Sequence, residues 1–223
     1  FEEAAAQYEE VAEQRPDWAG LQGRLGYAYL MSRRPLLAVQ SYRQALELRP
    51  DSTVVRYQLA RLYNEMDSLA AAAGQYQILL AAEPENALLH TLLANALIGD
   101  PIRDIGVGGN EHIERAEGHL RRALELDPNG TQARWSLAML RARQGRYPES
   151  TSIFEELLEL DPGDGLLHFC LANLYRRTGQ PNRAEAAMDR YSSAVRDKRV
   201  RRRAEAELRD VIESMGIVGK VGG

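Results

Sequence analysis

Apolar and small positions recur along this chain at a helical spacing that is itself repeated. Ala4, Ala38, Ala72, Ala116, Ser150 and Ala184 are each followed four residues later by a bulky side chain: Tyr8, Tyr42, Tyr76, Leu120, Phe154 and Met188. Residues i and i+4 share one face of an α-helix, so each pair predicts a helix with a buried stripe. A second series pairs a leucine with a small neighbour, in Leu25-Gly26, Leu59-Ala60, Leu93-Ala94, Leu137-Ala138 and Leu171-Ala172. Those small residues predict a close helix crossing. Polar or breaker segments at 32–35, 67–68, 144–146 and 178–181 separate the two series. Each unit therefore reads as a hairpin of two helices.

The hairpins keep a fixed period. Pro16, Pro50 and Pro84 stand 34 residues apart, Pro128 follows after 44 and Pro162 after another 34. Each closes a second helix, which proline cannot continue because its N–H is absent and its ring clashes. Small residues, aromatics and terminal prolines at these offsets resemble the tetratricopeptide repeat family, whose unit is 34 residues long. The resemblance covers residues 1–191. It implies an all-α fold, a right-handed α-solenoid of stacked antiparallel helix hairpins. The expected organisation is the second half of a truncated repeat over 1–18, then five hairpins over 19–191 with an inserted loop at about 99–111. A capping or docking helix over 192–215 and a flexible tail over 216–223 complete it. The truncated first repeat and the lack of an initiator Met lead us to expect chain upstream of Phe1. Ser150 in place of Ala, and Arg141 where an aromatic or Leu is usual, depart from the family pattern.

Composition narrows the function classes. The 223 residues are 44% hydrophobic and 27% charged, a globular profile. With 28 basic against 32 acidic side chains and a net charge of −4, no global positive field exists to attract nucleic acid. The single cysteine, Cys170, excludes an intrachain disulfide and a multi-thiolate metal site. No run approaches the ~18 apolar residues of a membrane span. Arg196, Lys198, Arg199, Arg201, Arg202 and Arg203 crowd six positive charges together. Such a run could meet phosphates or acidic lipids, but a solvated helix face is the expectation.

Candidate chemistry is sparse. The insertion holds Asp100, Asp104, Gly106, Gly108, Gly109 and Asn110, without the spacing of a phosphate loop or a calcium loop. It reads as a surface excursion with Asn110 capping the next helix. His112 and His119 lie seven residues apart beside several glutamates, a solvated charged helix more than a metal site. His90 and His168 hold matching places in their units and are expected to pack or cap. Cys170 reads as a buried small hydrophobe. No catalytic constellation, metal site or cofactor site is expected, and the chain does not read as an enzyme.

The remaining surface is the face of each first helix left once its leucine is buried. It presents Tyr27, Leu30 and Met31, then Val54, Tyr57 and Arg61, then Leu88, Thr91, Asn95 and Ile98. Trp135, Met139 and Arg143 follow, then Leu166, Phe169, Asn173 and Arg176. In tetratricopeptide proteins this face lines a concave groove that holds a partner peptide or helix. The resemblance therefore implies a protein-binding scaffold whose contacts come from Tyr27, Met31, Tyr57, Arg61, Asn95, Trp135, Met139, Phe169, Asn173 and Arg176. Leu30, Leu88 and Ile98 are expected to pack, whereas Tyr57, Trp135, Arg61 and Arg176 are expected to be exposed. The family's two-carboxylate clamp is not matched, because Tyr27, Gln58, Leu88 and Leu92 occupy its places. Two other classes stay open: a subunit that self-assembles end to end, its acidic start meeting the basic run, and a regulatory module of a larger enzyme.

Overall fold

The computed structural model describes residues 1–99 and 109–196, with backbone only for residues 109 and 110. Eleven helices and no strand occur among them. They are α1 (Glu2–Gln14), α2 (Ala19–Met31), α3 (Pro35–Leu48), α4 (Thr53–Glu65), α5 (Leu69–Ala82), α6 (Ala87–Ile98), α7 (Gly109–Leu126), α8 (Thr131–Arg143), α9 (Tyr147–Leu160), α10 (Gly165–Arg177) and α11 (Pro181–Ala194). Pro16, Pro50, Pro84, Pro128 and Pro162 each follow the end of a helix by two residues. The fold is an all-α helical repeat.

Local chemistry fixes the helix ends. Asn86 accepts a hydrogen bond from the Leu89 N–H at the start of α6, and Asp164 accepts from Leu166 and Leu167 at the start of α10. Pro35 and Pro181 open α3 and α11, where a missing N–H costs nothing. The α2–α3, α4–α5, α8–α9 and α10–α11 turns each hold one residue in the left-handed region, at Arg33, Asp67, Gly145 and Gly179. At Arg33 and Asp67 a side chain bears that conformation, at a cost of about 1 kcal/mol. Contrary to expectation, α7 begins at Gly109, so Asn110 lies inside the helix instead of capping it.

The described residues form two compact units, divided inside α7 between His119 and Leu120. In the first, Leu25, Tyr29, Tyr42, Leu59 and Leu62 are buried around Ala28 and Ala38. The α2 and α3 helices approach so closely that a Cβ on Gly26 would lie 2.7 Å from the Tyr42 ring. In the second, Phe154, Leu171, Leu174 and Cys170 form the core, with Trp135 edge-on to Phe154 at 5.1 Å between ring centroids. Each unit buries its helices against neighbours in sequence, the arrangement of a repeat protein.

Two trios tie successive hairpins. Tyr29 donates to the Glu9 carboxylate at 2.6 Å while the Arg34 guanidinium lies over the Tyr29 ring, and Tyr175 donates to Glu155 at 2.7 Å beneath Arg183. Arg141 occupies the matching place in the α8 unit and is buried. Its guanidinium turns to Glu149 at 3.2 Å and to Gln144 at 2.9 Å. Ser150 is fully buried and donates to the Ala138 carbonyl at 2.8 Å, so both departures from the family pattern are satisfied in place.

The described residues end at 196. The expected helix over 192–215, the tail over 216–223, and Lys198, Arg199, Arg201, Arg202 and Arg203 of the basic run lie outside them, as does the insertion between residues 100 and 108. Arg196 is exposed just beyond α11.

Candidate functional site

In the first unit, the first helices α2, α4 and α6 carry the surface to which the sequence pointed. Tyr27 and Met31 are exposed on α2, at 48% and 44%. Tyr57 is half-buried on α4, and Arg61 is exposed, 3.2 Å from Glu65. Asn95, Ile98 and Leu30 are half-buried. Leu88 was expected to pack, but it is 47% exposed, and its α4 counterpart Val54 is 70% exposed. Both sit at the second position of their helix, where the chain has only just left the preceding loop and little neighbouring helix covers them.

Between these helices lie two notches. The first, of about 460 Å³, opens between α2 and α4 over the end of α3, where Ala45 and Arg49 form its base. The second, of about 240 Å³, opens between α4 and α6 over Leu79 and Glu83. Every residue lining the second lies 34 positions after a residue lining the first. The notch is thus a product of the repeat, made at two successive steps. Its size follows from side chains: Gly20 and Gly23 in the first are replaced by Val54 and Tyr57 in the second. Tyr8, Tyr27 and Tyr42 add aromatic wall to the first notch alone.

The second unit differs. Trp135 is half-buried against Phe154, and Met139, Phe169 and Asn173 are buried. Asn173 donates to the Phe169 carbonyl within its own helix, and the Phe169 ring packs on Tyr191 at 5.3 Å. These three side chains therefore offer no surface to a partner, and Trp135 serves the core more than was expected. The cause is local packing: Tyr191 of α11 lies on the Phe169 ring, and Phe154 of α9 meets Trp135. Arg176 is exposed.

Sequence reasoning missed the second-helix contribution, Ala45, Arg49, Leu79 and Glu83, and it missed Gly20 and Gly23. Comparing the chain with itself at the 34-residue offset reveals the glycine pair against Val54 and Tyr57.

The histidines belong to the scaffold. Six residues after each of four prolines stands a donor, in order Arg56, His90, Arg134 and His168, and each donates to that proline's carbonyl, Pro50, Pro84, Pro128 and Pro162. His90 and His168 therefore act as caps. His119 was expected on a solvated face, yet its Nδ1 lies 2.9 Å from His90 Nδ1. Since His90 Nε2 donates to Pro84, His90 Nδ1 accepts and His119 Nδ1 donates. His112 Nδ1 is also buried, without a partner among the described residues. Burial, then His90, then Arg115 hold the His119 pKa below its ordinary value. The unfolded chain takes up that proton first, so the stability tied to the pair is present above pH 6.5 and is lost as pH falls. Thermal unfolding followed by circular dichroism should show a midpoint that drops between pH 7 and 5.5 in the native chain and drops less in His119→Gln.

No group of three or more metal-ligating side chains occurs among the described residues. Burial pushes the Cys170 thiol well up, which keeps it protonated and unreactive. No helix among the described residues is long and apolar enough to cross a membrane.

Comparison with known proteins agrees with this architecture. Among solved structures, a tetratricopeptide repeat protein from Parabacteroides merdae superposes with a TM-score of 0.72 at 24% identity, over 86% of this chain and 72% of that one. YrrB, described as a TPR protein with an unusual peptide-binding site, gives 0.62 at 23% identity over 91% and 100%. MamA gives 0.64 at 15% identity over 76% and 94%. No protein of curated function matches the sequence. Two family models, both described as tetratricopeptide repeat, match residues 1–53 with 108–165 and residues 30–96 with 141–208. With its 34-residue hairpins, this chain belongs to the tetratricopeptide repeat family.

Proposed function

We propose that the first-helix face of residues 1–119 is a binding site for a segment of another protein, and that this binding is the chain's activity. The family is a protein-interaction module, and YrrB is a fold relative with a peptide-binding site. The observation that carries the reading is the repeated notch. Two concave sites, one per hairpin step, suit a chain-like ligand that sets down side chains at intervals. Exposed Tyr27, Met31, Val54 and Leu88 supply apolar area around them. Aromatic and Met side chains of this kind are enriched at the energetic centres of interfaces.

Selection of random 12-residue peptides displayed on phage, followed by calorimetric titration, tests this. Tyr27→Ala and Val54→Ser should each weaken the selected peptides at least tenfold while leaving the melting temperature within a few degrees, because both side chains are largely exposed. Equal loss on substituting Arg176, on the second unit, would remove the assignment to this face.

A further inference from the structure

We propose that the partner segment seated in the first notch carries a large apolar side chain with a carboxylate beside it. This rests on the groove reading above and adds what that reading leaves open, the chemical class of the ligand and its direction.

The notch selects for the apolar side chain by its walls. Tyr8, Tyr27, Tyr42 and Val55 surround a volume of about 460 Å³, within the range of small-ligand pockets. Its volume is about 460 Å³ against about 240 Å³ for the second notch, which has Val54 and Tyr57 where the first has Gly20 and Gly23, so an aromatic or branched group can enter where the second notch admits a smaller one.

The carboxylate follows from charge. Two guanidiniums, Arg24 on α2 and Arg49 at the end of α3, line this notch, and no Asp or Glu does. Both arginines are exposed, and neither guanidinium has an ionic or hydrogen-bond partner among the described residues. Three other arginines of the unit are engaged: Arg34 with Glu9, Arg56 with Gln75 and Arg61 with Glu65. Within a chain of net charge −4, the notch is a local positive site. A guanidinium offers a planar fork of donors matched to a carboxylate.

The 34-residue comparison gives the direction. Arg24 and Arg49 become Gln58 and Glu83 in the second notch. The second notch therefore offers no excess positive charge, and Glu83 disfavours an acid there. A bound segment is ordered, with its acidic, bulky part at α2 and a smaller neutral or basic part toward α6.

The test uses the full chain and an array of synthetic 12-residue peptides, each with one Trp, in which Asp, Asn or Lys is walked through the positions on either side. The expected result is a register in which Asp binds about tenfold tighter than Asn and Lys binds more weakly still, with the preference fading as salt rises. In the double variant Arg24→Gln, Arg49→Gln the Asp and Asn peptides should bind alike, with the helical content unchanged. Trp peptides that bind regardless of the neighbouring charge, or an Asp preference that survives in the double variant, would overturn this inference and leave the groove reading in place. An array on which nothing binds would overturn both.

Discussion

Replacing Phe154 by Ala is expected to lower the unfolding free energy by about 4 kcal/mol, the range of large buried aromatic truncations. The ring is fully buried and is met edge-on by Trp135. It is surrounded by Ala138, Leu157, Leu171 and Ala172, none of which can move to fill the space without dragging its helix. In a repeat protein stability is local to neighbouring hairpins, so the loss should be confined. Amide exchange should quicken across α8 to α11 and stay unchanged across α2 to α5. Urea titration gives the magnitude and exchange gives the place. Uniform acceleration through both units would contradict the local-packing account.

Alkaline pH should unfold the chain between pH 10 and 12. Tyr29, Tyr42, Tyr76 and Tyr175 are each pushed from 10 up to about 12, in every case chiefly by burial. At Tyr29 and Tyr175 the hydrogen bonds to Glu9 and Glu155 add to it. The sign follows from linkage: the folded chain keeps protons that the unfolded chain has already lost, so stability is intact below pH 10 and falls as pH climbs toward 12. Helicity should be lost together with a part of the tyrosinate absorbance change, the part that belongs to these four of the ten tyrosines. Tyr42 has a buried hydroxyl with no partner among the described residues. Tyr42→Phe should therefore be neutral or stabilise by about 1 kcal/mol near neutral pH, and Tyr42→Phe with Tyr76→Phe should move the alkaline midpoint upward. Ionisation of all four rings with helicity unchanged would refute the burial argument.

Hairpins, helix ends and core aromatics were legible in the sequence because each rests on a local rule repeated at one period. The prolines stop helices wherever they fall. The Leu-small pairs mark crossings, and Gly26 against Tyr42 shows how tight such a crossing becomes. The candidate site was less legible. Positions at the edge of a helix's buried stripe are decided by the size of side chains on the next helix, which a period does not encode. Thus Phe169 is covered, with Tyr191 on its ring, while Tyr27 is exposed. Arg49 was missed for another reason. It belongs to the end of a second helix, and a face drawn from first helices alone passes it by. The His90 and His119 contact joins residues 29 apart on separate helices and needs coordinates to be seen.

The 34-residue correspondence between the notches bears on how such a surface evolves. A notch is written in one continuous stretch, residues 53–89 for the second, and borrows nothing from distant parts of the chain. Duplicating one unit in the gene would append one more receptacle and leave the others as they were. A point change at the Gly23 position would then resize the copy, as Tyr57 already differs from it, whereas Val54 lines both notches and a change there reaches two neighbours at once. Ligand length and ligand identity are inherited separately: the first by copying whole units, the second by single codons within them.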